Sequence, residues 1–375
     1  MFQPRYIKHS HLLIRHVEKL IRYRRDQLSA ETVAELEAQI GKVREAMKAR
    51  NNRATHEESE RLDALLSART PPPKNAVWRE NVEVILVAIV VAIGIRSYFI
   101  QPFKIPTGSM QPTLNGIIGH PSAAPSPNFL TQIIDFVVLG RNYIDVVSGD
   151  DNTVENITSR KFLFFFTLSR IECDHQSFNV YAPPEILRQD FQVYPGNRYH
   201  RGQVIARGAI DTGDQVFVDK FSYNFIHPRR GDVFVFRTDN ILGIHEDPEA
   251  GAPFYIKRLT GTPGDELRID SPRLYVNGQL AKNFGIRRVM SAKAPYKGYS
   301  QGPLTVQLAA GYIVPGLLYS PEMTFTVPPH RYFAMGDNSY NSYDSRYWGP
   351  VPEDNVVGRG LVVYWPFDRH WGFIR

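Results

Sequence analysis

One serine lies in a turn of unusual composition, KIPTGSMQPTL at residues 104–114, which directly follows an apolar segment. Pro106 and Pro112 restrict the backbone on either side, and Gly108 permits an unusual φ or a close approach of two backbones. Such a turn presents the Ser109 hydroxyl in one orientation, as a nucleophile requires. An ordinary polar turn would carry the same residues, so the interpretation depends on whether the chain supplies a base.

The candidate base is Lys257, in the strand-like segment PFYIKRLTGTPGDE. Because side chains alternate between the two faces of a strand, Lys257 and Arg258 point in opposite directions. Burial lowers the pKa of a lysine towards about 7–8, where the amine accepts a proton, whereas arginine stays charged. The 11 histidines are scattered and none nominates a Ser-His-Asp triad, although such triads follow no fixed chain order. Two solvated charges on an edge strand are the alternative interpretation.

A third stretch, MGDNSYNSYDSRYWG at residues 335–349, is dense in Gly, Asp, Asn and Ser. This composition predicts tight turns and hydrogen bonds from side chains to the backbone. Asp344 and Arg346 are suited to pair within the loop. A rigid polar loop of this kind can hold a neighbouring amine in place, and it can equally be a structural hairpin.

Composition excludes several other chemistries. Cys173 is the single cysteine, so the chain has no internal disulfide and no cysteine-based metal site, and no HExxH or CxxC motif occurs. We therefore predict no cofactor and no metal. The net charge of +6 over 375 residues is modest, and the basic residues do not cluster with aromatic ones, which argues against nucleic acid as a partner.

An apolar run places this chemistry beside a membrane. Residues 84–95 are apolar without interruption, and with Arg96 tolerated the segment extends over 82–100, which we interpret as a single transmembrane helix. Trp78 and Tyr98 lie where interfacial aromatic residues belong, and basic residues are concentrated before the run. The positive-inside rule then predicts a cytoplasmic N-terminus and an extracytoplasmic remainder. A buried core helix is the alternative for a run this short.

The N-terminal region, residues 1–73, is predicted to be helical, polar and cytoplasmic. Apolar residues recur at gaps of three and four between Val33 and Met47. This spacing is typical of a coiled coil, and also of a helix that packs on its neighbour at 62–66. Three prolines at 71–73 then predict a stiff linker.

The C-terminal part is predicted to be mainly β. Beyond Gly213, short β-branched and aromatic runs such as GDQVFVDKF, RRGDVFVFR and VGRGLVVYW are separated by turn residues. Strands do not alternate with helices, which favours an antiparallel sheet. Residues 101–375 are therefore expected to form an extracytoplasmic β-rich domain, although residues 115–212 carry no motif that predicts their fold.

Taken in order behind one anchor, these stretches resemble bacterial type I signal peptidases, which are membrane serine proteases with a Ser-Lys dyad. The resemblance covers the anchor through IPTGSMQPTL, then GDQVFVDKF, PRRGDVFVFR, YIKRLTGTPGD and GDNSYNSYDSRYWGPVPEDNVVGRG. One of these motifs alone would be weak evidence for the family, whereas the set in this order is specific to it. The resemblance implies a signal-peptidase-like antiparallel β-sheet domain held by a single pass in the bacterial cytoplasmic (inner) membrane.

The resemblance also implies catalytic roles. Ser109 matches the nucleophile and Lys257 the general base. The Thr107 hydroxyl, with the Ser109 backbone N–H, would form the oxyanion hole. Ser342 matches a serine that hydrogen-bonds to the lysine amine.

Other matching positions imply structural and substrate-binding roles. Asp344 and Arg346 match a structural ion pair of the last motif. Pockets for small residues, which admit Ala-x-Ala before a signal-peptide cleavage site, are implied at Phe103, Ile105, Pro106, Met110, Leu114, Tyr255 and Ile256. The implied partners are preproteins that carry signal peptides, extended beside a strand edge, and the lipid bilayer, with the secretion translocon as a candidate partner.

Two departures from the family pattern carry expectations of their own. The last motif usually reads GDNRDNS, and Ser339 and Tyr340 stand here in place of its Arg-Asp pair, which we expect to change the loop surface and not catalysis. The second departure is an insertion of 98 residues, 115–212, between motifs that are nearly adjacent in the family. It can cap the cleft, restrict substrates or contact a partner, and loop closure at this length costs little.

Two other functions are compatible with the sequence. The first is a Ser-Lys peptidase of another role. Maturation of a dedicated substrate fits the insertion, whereas a self-cleaving repressor-type domain is disfavoured by the anchor and by the lack of a DNA-binding helix pair. The second is a non-catalytic membrane scaffold of the same fold. Retention of Ser109, Lys257 and Ser342 together with the Asp344 and Arg346 pair argues against a scaffold, which needs none of them.

Overall fold

A computed structural model describes residues 5–26, 28–70, 76–162, 166–241, 243–244, 253–308 and 311–375. The chain divides into two compact units, Met1–Val90 and Val91–Arg375. The predicted proline linker at 71–73 lies outside the described residues.

The N-terminal unit contains three polar helices, α1 (Arg5–Tyr23), α2 (Ala30–Lys48) and α3 (Asn52–Arg69). Their apolar side chains share one core, formed by Ile14, Val17, Ile21, Leu36, Ile40, Val43, Leu62 and Leu66. The apolar stripe of α2 is therefore covered by α1 and α3 of the same chain, which is the second of the two arrangements expected from its spacing.

The helix α4 (Ala76–Tyr98) is long and apolar enough over Trp78–Tyr98 to cross a membrane, and the most apolar part of it is fully exposed. An apolar helix is confirmed in this region, and the segment 82–100 predicted to be transmembrane begins six residues after the start of α4 and ends two residues beyond it. Phe99 still donates its N–H to the Ile95 carbonyl but accepts the Lys220 N–H, and Ile100 pairs with Asp219 of a neighbouring strand.

Strands dominate the C-terminal unit. In chain order they are β1 (Ile100–Lys104), β2 (Ile118–Pro121), β3 (Arg141–Val147), β4 (Asn152–Phe162), β5 (Phe166–Cys173), β6 (Ser177–Val180), β7 (Arg198–Tyr199), β8 (Val204–Asp211), β9 (Gln215–Asp219), β10 (Val233–Arg237), β11 (Phe254–Gly261), β12 (Glu266–Asp270), β13 (Arg273–Val276), β14 (Gln279–Leu280), β15 (Thr305–Gln307), β16 (Ile313–Pro315), β17 (Thr324–Thr326), β18 (Arg331–Met335), β19 (Val351–Pro352), β20 (Val356–Trp365) and β21 (Gly372–Phe373). Its short helices are α5 (Phe129–Leu139), α6 (Pro184–Gln189), α7 (Phe284–Met290) and α8 (Ser345–Trp348).

Eight of these strands form the main sheet, in the order β1-β9-β20-β10-β11-β18-β19, with β21 paired to β20. All of its pairings are antiparallel, so the predicted fold class is confirmed. A second sheet, β14-β13-β12-β17, and the hairpin β15-β16 lie between β11 and β18 in the chain.

The insertion at 115–212 is a folded subdomain. It contains two sheets, β2-β8-β3 and β6-β5-β4-β7, together with α5 and α6. A core of its own joins them, to which Ile144, Ile171 and Leu187 contribute. Its fold was not predictable from any motif, because its strands and helices vary in length and follow no repeat.

The two ends of the insertion meet beside the serine turn. Asn115 donates its backbone N–H to an Asp214 carboxylate oxygen at 2.7 Å, and the Asp214 N–H donates to the Asn115 carbonyl at 2.9 Å. Gly213 has a φ of +79°, and a Cβ there would lie 2.3 Å from the Ile105 carbonyl oxygen. The insertion therefore leaves and re-enters the fold at one place, and β1 still pairs directly with β9.

Candidate active site

The turn that carries Ser109 stands on the core of the main sheet. Gly108–Met110 form one 3-10 turn shortly after β1. Met110 and Leu114 are completely buried in the apolar cluster beneath it. Ser109 is 9% exposed, so its hydroxyl is largely shielded from water. The prolines predicted this turn, and the core contacts on either side of the serine fix where it lies.

Lys257 reaches this serine from the interior of the sheet. It lies on β11, between β10 and β18, and opposite Phe234 of β10. Its Nζ is 2.5 Å from Oγ of Ser109. The lysine is only 5% exposed, and the Tyr255 ring centroid lies 5.5 Å from Nζ. Two residues 148 positions apart thus form a contact between a hydroxyl and a candidate base.

Burial sets the charge state of this lysine. Desolvation lowers the pKa of Lys257 to about 8, against a weaker opposing effect of the Asp344 carboxylate. No carboxylate among the described residues forms an ion pair with Lys257. A substantial fraction of the amine is therefore neutral at mildly alkaline pH and able to accept a proton from Ser109.

The loop at 335–349 binds the serine turn through its backbone. Asn338 donates its N–H to the Ser109 carbonyl at 3.0 Å and its side-chain amide to the Gly108 carbonyl at 3.1 Å. Gly336 lies so close to the turn that a Cβ there would be 2.4 Å from the Ser109 carbonyl oxygen. The loop and the turn are therefore in direct backbone contact.

A buried ion pair holds the loop in shape. Asp344 and Arg346 are 2.8 Å apart and both are buried. The Asp344 carboxylate also accepts the Gly336 N–H at 3.0 Å, and Arg346 donates to the carbonyls of Ser300 and Ser339 at 2.9 and 2.7 Å. These paired charges and backbone hydrogen bonds hold the loop in one shape.

The two residues that depart from the expected loop motif have different environments. Tyr340 is exposed, as the sequence led us to expect. Ser339 is buried, and its hydroxyl accepts the Ser300 N–H at 2.9 Å. The expectation of a change at the loop surface is therefore wrong for Ser339, because the loop folds inward on the segment that contains Ser300.

The two other hydroxyl residues assigned to catalysis by resemblance have different environments. Ser342 Oγ is buried and has no hydrogen-bond partner among the described residues. The hydrogen bond implied between Ser342 and Lys257 is thus absent from this arrangement, in which the amine contacts Ser109 instead. Thr107 is exposed at the start of the turn, and its hydroxyl does not cap the turn.

The residues predicted to line substrate pockets divide by exposure. The buried group belongs to the core beneath the serine turn and consists of Ile105, Met110 and Leu114. The more exposed group consists of Phe103, Pro106, Tyr255 and Ile256. In this arrangement a ligand can touch only the second group, while the first supports the turn from below.

The sequence analysis missed the pair of Arg258 and Asp337. Arg258 donates through two nitrogens to the Asp337 carboxylate at 2.7 and 2.6 Å, and both side chains are buried. Asp337 also accepts the Thr113 hydroxyl at 2.5 Å, which ties the loop to the chain just after the serine turn. Lys257 and Arg258 are therefore not solvated edge-strand charges, the alternative that the sequence left open. An arginine within an apolar strand signalled a buried acidic partner, but not which one.

Two other groups in the C-terminal unit carry residue types that bind metals or act as nucleophiles. Asp214, Asp368 and His370 have potential ligand atoms within 4.8 Å of one another, but Asp214 already accepts the Asn115 N–H, so the group also has a structural explanation. Cys173 is half-buried, and burial raises the pKa of its thiol, which disfavours a nucleophilic thiolate.

Comparison with known proteins identifies similar sequences. A family model described as signal peptidase, peptidase S26, matches residues 78–118 and 206–365, which is more than half of the chain. The unmatched residues between these two ranges lie within the insertion. The signal peptidase I of Pseudomonas fluorescens is 32% identical over 214 residues, which cover 50% of this chain and 69% of that protein.

Two further comparisons cover a smaller share of this chain. The signal peptidase I of Leptolyngbya laminosa is 33% identical over 160 residues, or 43% of this chain, and the match spans 64% of that protein, less than two thirds of its length. A crystal structure of a signal peptidase I from Enterococcus faecalis V583 is 26% identical and is covered to 97%, against 36% of this chain, with a TM-score of 0.24. A score this low supports no inference about the fold.

We predict that Gly336→Ala destabilises the C-terminal unit by about 1–3 kcal/mol, the usual cost of overpacking. The new Cβ would lie 2.4 Å from the Ser109 carbonyl oxygen and 2.2 Å from Ser342 Oγ, so the turn or the loop must move. Thermal unfolding of the full chain in detergent measures the loss. Gly41→Ala, inside helix α2 with nothing within 4 Å of the new Cβ, is the control and should not lower stability; a Gly336→Ala variant as stable as the unaltered chain would contradict the prediction.

Proposed function

The chain belongs to the signal peptidase family, peptidase S26, and we propose that it is a membrane-anchored serine endopeptidase that removes signal peptides from exported preproteins. The observation that carries this proposal is the contact of 2.5 Å between the Lys257 amine and the Ser109 hydroxyl, both largely withdrawn from water. A scaffold that only binds partners has no need of a lysine held in this state.

In the proposed reaction, Ser109 Oγ attacks the carbonyl carbon of the scissile peptide while neutral Lys257 takes the hydroxyl proton. The resulting ammonium of Lys257 then protonates the leaving amine, and the C–N bond breaks to give an acyl-enzyme. A water that loses its proton to Lys257 hydrolyses the ester and regenerates Ser109. One amine thus serves as base and acid in both halves of the reaction.

The tetrahedral intermediate carries a negative charge that must be stabilised. We assign this role to the Ser109 backbone N–H and the Thr107 hydroxyl. Thr107 is exposed and its hydroxyl does not cap the turn, which leaves it available to a substrate. Donors placed in advance at the oxyanion position are among the largest contributions to such catalysis.

We propose that the exposed positions beside Ser109 bind small side chains, as in Ala-x-Ala. Phe103 packs against Phe254 with ring centroids 5.2 Å apart, which narrows the apolar surface next to the turn. Pro106, Tyr255 and Ile256 complete the accessible set. The buried Ile105, Met110 and Leu114 would act indirectly, by fixing the floor of this surface.

The anchor supports the same function. We propose that α4 spans the bacterial cytoplasmic membrane with the N-terminal unit in the cytoplasm and the C-terminal unit outside. The helix ends at Tyr98, and the nucleophile follows only 11 residues later. Such spacing keeps Ser109 near the membrane surface, where a translocated signal peptide presents its cleavage site. The secretion translocon is a candidate partner at this position.

The insertion favours one second candidate, which is the same chemistry directed at a dedicated substrate. A subdomain with its own core beside the serine turn can restrict access more strongly than an open cleft. Substrate range separates the two candidates: a general signal peptidase cleaves unrelated preproteins, and a maturation peptidase cleaves one.

We predict that Lys257→Ala and Lys257→Arg abolish cleavage of a secreted preprotein, because neither side chain can accept the Ser109 proton. The full chain in detergent is mixed with the preprotein, and products are separated by electrophoresis and sequenced at the new N-terminus. Lys282→Ala, at an exposed lysine, is the control and should cleave normally. Normal cleavage by folded Lys257→Ala would remove the lysine from the mechanism.

We predict that kcat/KM rises with pH and levels off above about 8. The pKa of Lys257 is lowered to about 8, so the amine is mostly protonated below that pH and mostly neutral above it. Only the neutral form accepts a proton, and the rate therefore increases as pH passes through this value. Initial rates on a peptide substrate between pH 6 and 9.5 test this, and a flat profile contradicts it.

We predict that Thr107→Ala slows cleavage by about 10²–10³ while leaving it measurable, the usual effect of removing one oxyanion donor. Thr107→Ser keeps the hydroxyl and should retain most of the activity. Single-turnover rates separate this effect from substrate binding. A loss as complete as that of Ser109→Ala would mean that Thr107 has a different role.

A further inference from the structure

The insertion displays an apolar helix surface for which the proposed catalysis has no use. Helix α5 has no fully buried residue. Six of its eleven side chains are exposed and all six are apolar: Phe129, Leu130, Ile133, Ile134, Val137 and Val138. They recur at helical spacing along one side, so they form a continuous surface and not scattered single contacts.

The polar side chains of α5 lie off the exposed apolar side and are hydrogen-bonded, which is the reverse of a surface helix in water. Asp135 accepts a hydrogen bond from the Tyr143 hydroxyl at 2.6 Å. Gln132 donates to the Pro127 carbonyl at 2.7 Å. The polar groups are therefore satisfied within the protein, while the outward side offers neither a charge nor a hydrogen-bonding group. This arrangement suits an apolar environment around the helix.

The main sheet holds α5 in this orientation. Trp365, at the end of β20, donates its indole N–H to the Val137 carbonyl at 2.8 Å, and its ring packs against Phe136 with centroids 5.9 Å apart. A second hydrogen bond joins the following residues, where the Phe367 N–H donates to the Val138 carbonyl at 2.8 Å. The exposed side is thus fixed by the fold and is not the result of a loosely packed helix.

The C-terminal segment places two more exposed aromatic residues after its backbone contact with α5. Phe367 and Trp371 are 54% and 60% exposed, and their ring centroids are 6.2 Å apart. Arg369 is exposed between them in sequence. Exposed tryptophan next to a basic residue is typical of the boundary between lipid chains and head groups.

We propose that α5, together with Phe367 and Trp371, inserts into the surface of the lipid bilayer. The helix has 11 residues and is about 16 Å long, too short to span a membrane, so it would lie in the interface with its apolar side about 5–10 Å deep. The inference rests on the membrane anchor of the proposed function, and it does not depend on the Ser-Lys chemistry.

The sheet register relates Trp365, which binds α5, to the start of β1. Strand β1 begins two residues after α4 ends. Gln215 of β9 pairs with Lys104 at the far end of β1 and with Trp365 on its other side. Trp365 therefore lies about 14 Å along the strands and about 10 Å across them from Ile100. A bilayer that holds Tyr98 is near enough to receive α5 as well.

A protein partner fits this surface less well than lipid does. Protein interfaces carry a polar rim and about one hydrogen bond per 100–200 Å². The outward side of α5 has only aliphatic and aromatic groups. Lipid chains require no hydrogen bonds from it.

Depth-dependent quenching tests the proposal on the full chain. Cys173 is replaced by Ser, single cysteines are introduced as Leu130→Cys and Val137→Cys, and each is labelled with an environment-sensitive fluorophore. Ser177→Cys, at an exposed polar position of the same insertion, is the matched control, and Val87→Cys reports on α4. Each protein is placed as one copy per nanodisc, which excludes pairing of two chains.

The expected result is strong quenching at 130 and 137 by lipids that carry a spin label on the acyl chain, and at least a five-fold weaker effect at 177. Quenching of 130 and 137 by aqueous iodide instead, to the extent seen at 177, overturns the proposal. A label that is shielded from both quenchers would indicate a protein contact and overturns it too. Cleavage activity is not part of the readout, so failure of the proposed function leaves this result unaffected.

Discussion

An amine kept out of water sets the requirements for the rest of the C-terminal unit. The pKa of Lys257 stays lowered only while no carboxylate pairs with the amine directly, yet charged residues adjoin it in sequence and in space. In the folded chain these charged residues form ion pairs with one another, Arg258 with Asp337 and Asp344 with Arg346. Each pair is also bound to backbone, so the same contacts that neutralise charge hold the loop against the serine turn. Loss of one partner would leave a buried charge, which costs several kcal/mol.

The insertion leaves the main sheet intact because its first and last residues lie next to each other. Asn115 and Asp214 hydrogen-bond across its two ends, and β1 and β9 pair as if the chain ran directly between them. Its own core supplies the stability that a loop of this length would lack. The Asp214 carboxylate accepts the Asn115 N–H and its carbonyl accepts the Ile105 N–H, so the subdomain is joined to the chain on both sides of Ser109.

The apolar helix surfaces of this protein are of two kinds, covered and exposed. In the N-terminal unit, three helices cover one another's apolar stripes, as water requires. In α4 and α5 the apolar side chains stay exposed, and the polar groups of α5 are paired inward. Helix α2 therefore has its apolar side covered by protein, whereas α5 exposes its apolar side, which we infer to contact lipid. Contacts with Trp365 of the main sheet make α5 part of the C-terminal unit.

The sequence by itself determined the local features: the serine turn between two prolines, the apolar helix, the strands beyond Gly213 and the loop rich in Gly, Asp and Ser. These depend on spacing and on backbone preferences that neighbouring residues set. It also nominated Ser109 and Lys257, through residue type and resemblance. It did not reveal the partner of Arg258, the burial of Ser339, the missing contact of Ser342 or the fold of residues 115–212. Those depend on which segments meet across long stretches of chain. Only the packed sheet decides that a lysine 148 residues away from a serine lies 2.5 Å from it and is shielded from water, because burial and proximity are properties of the assembled core.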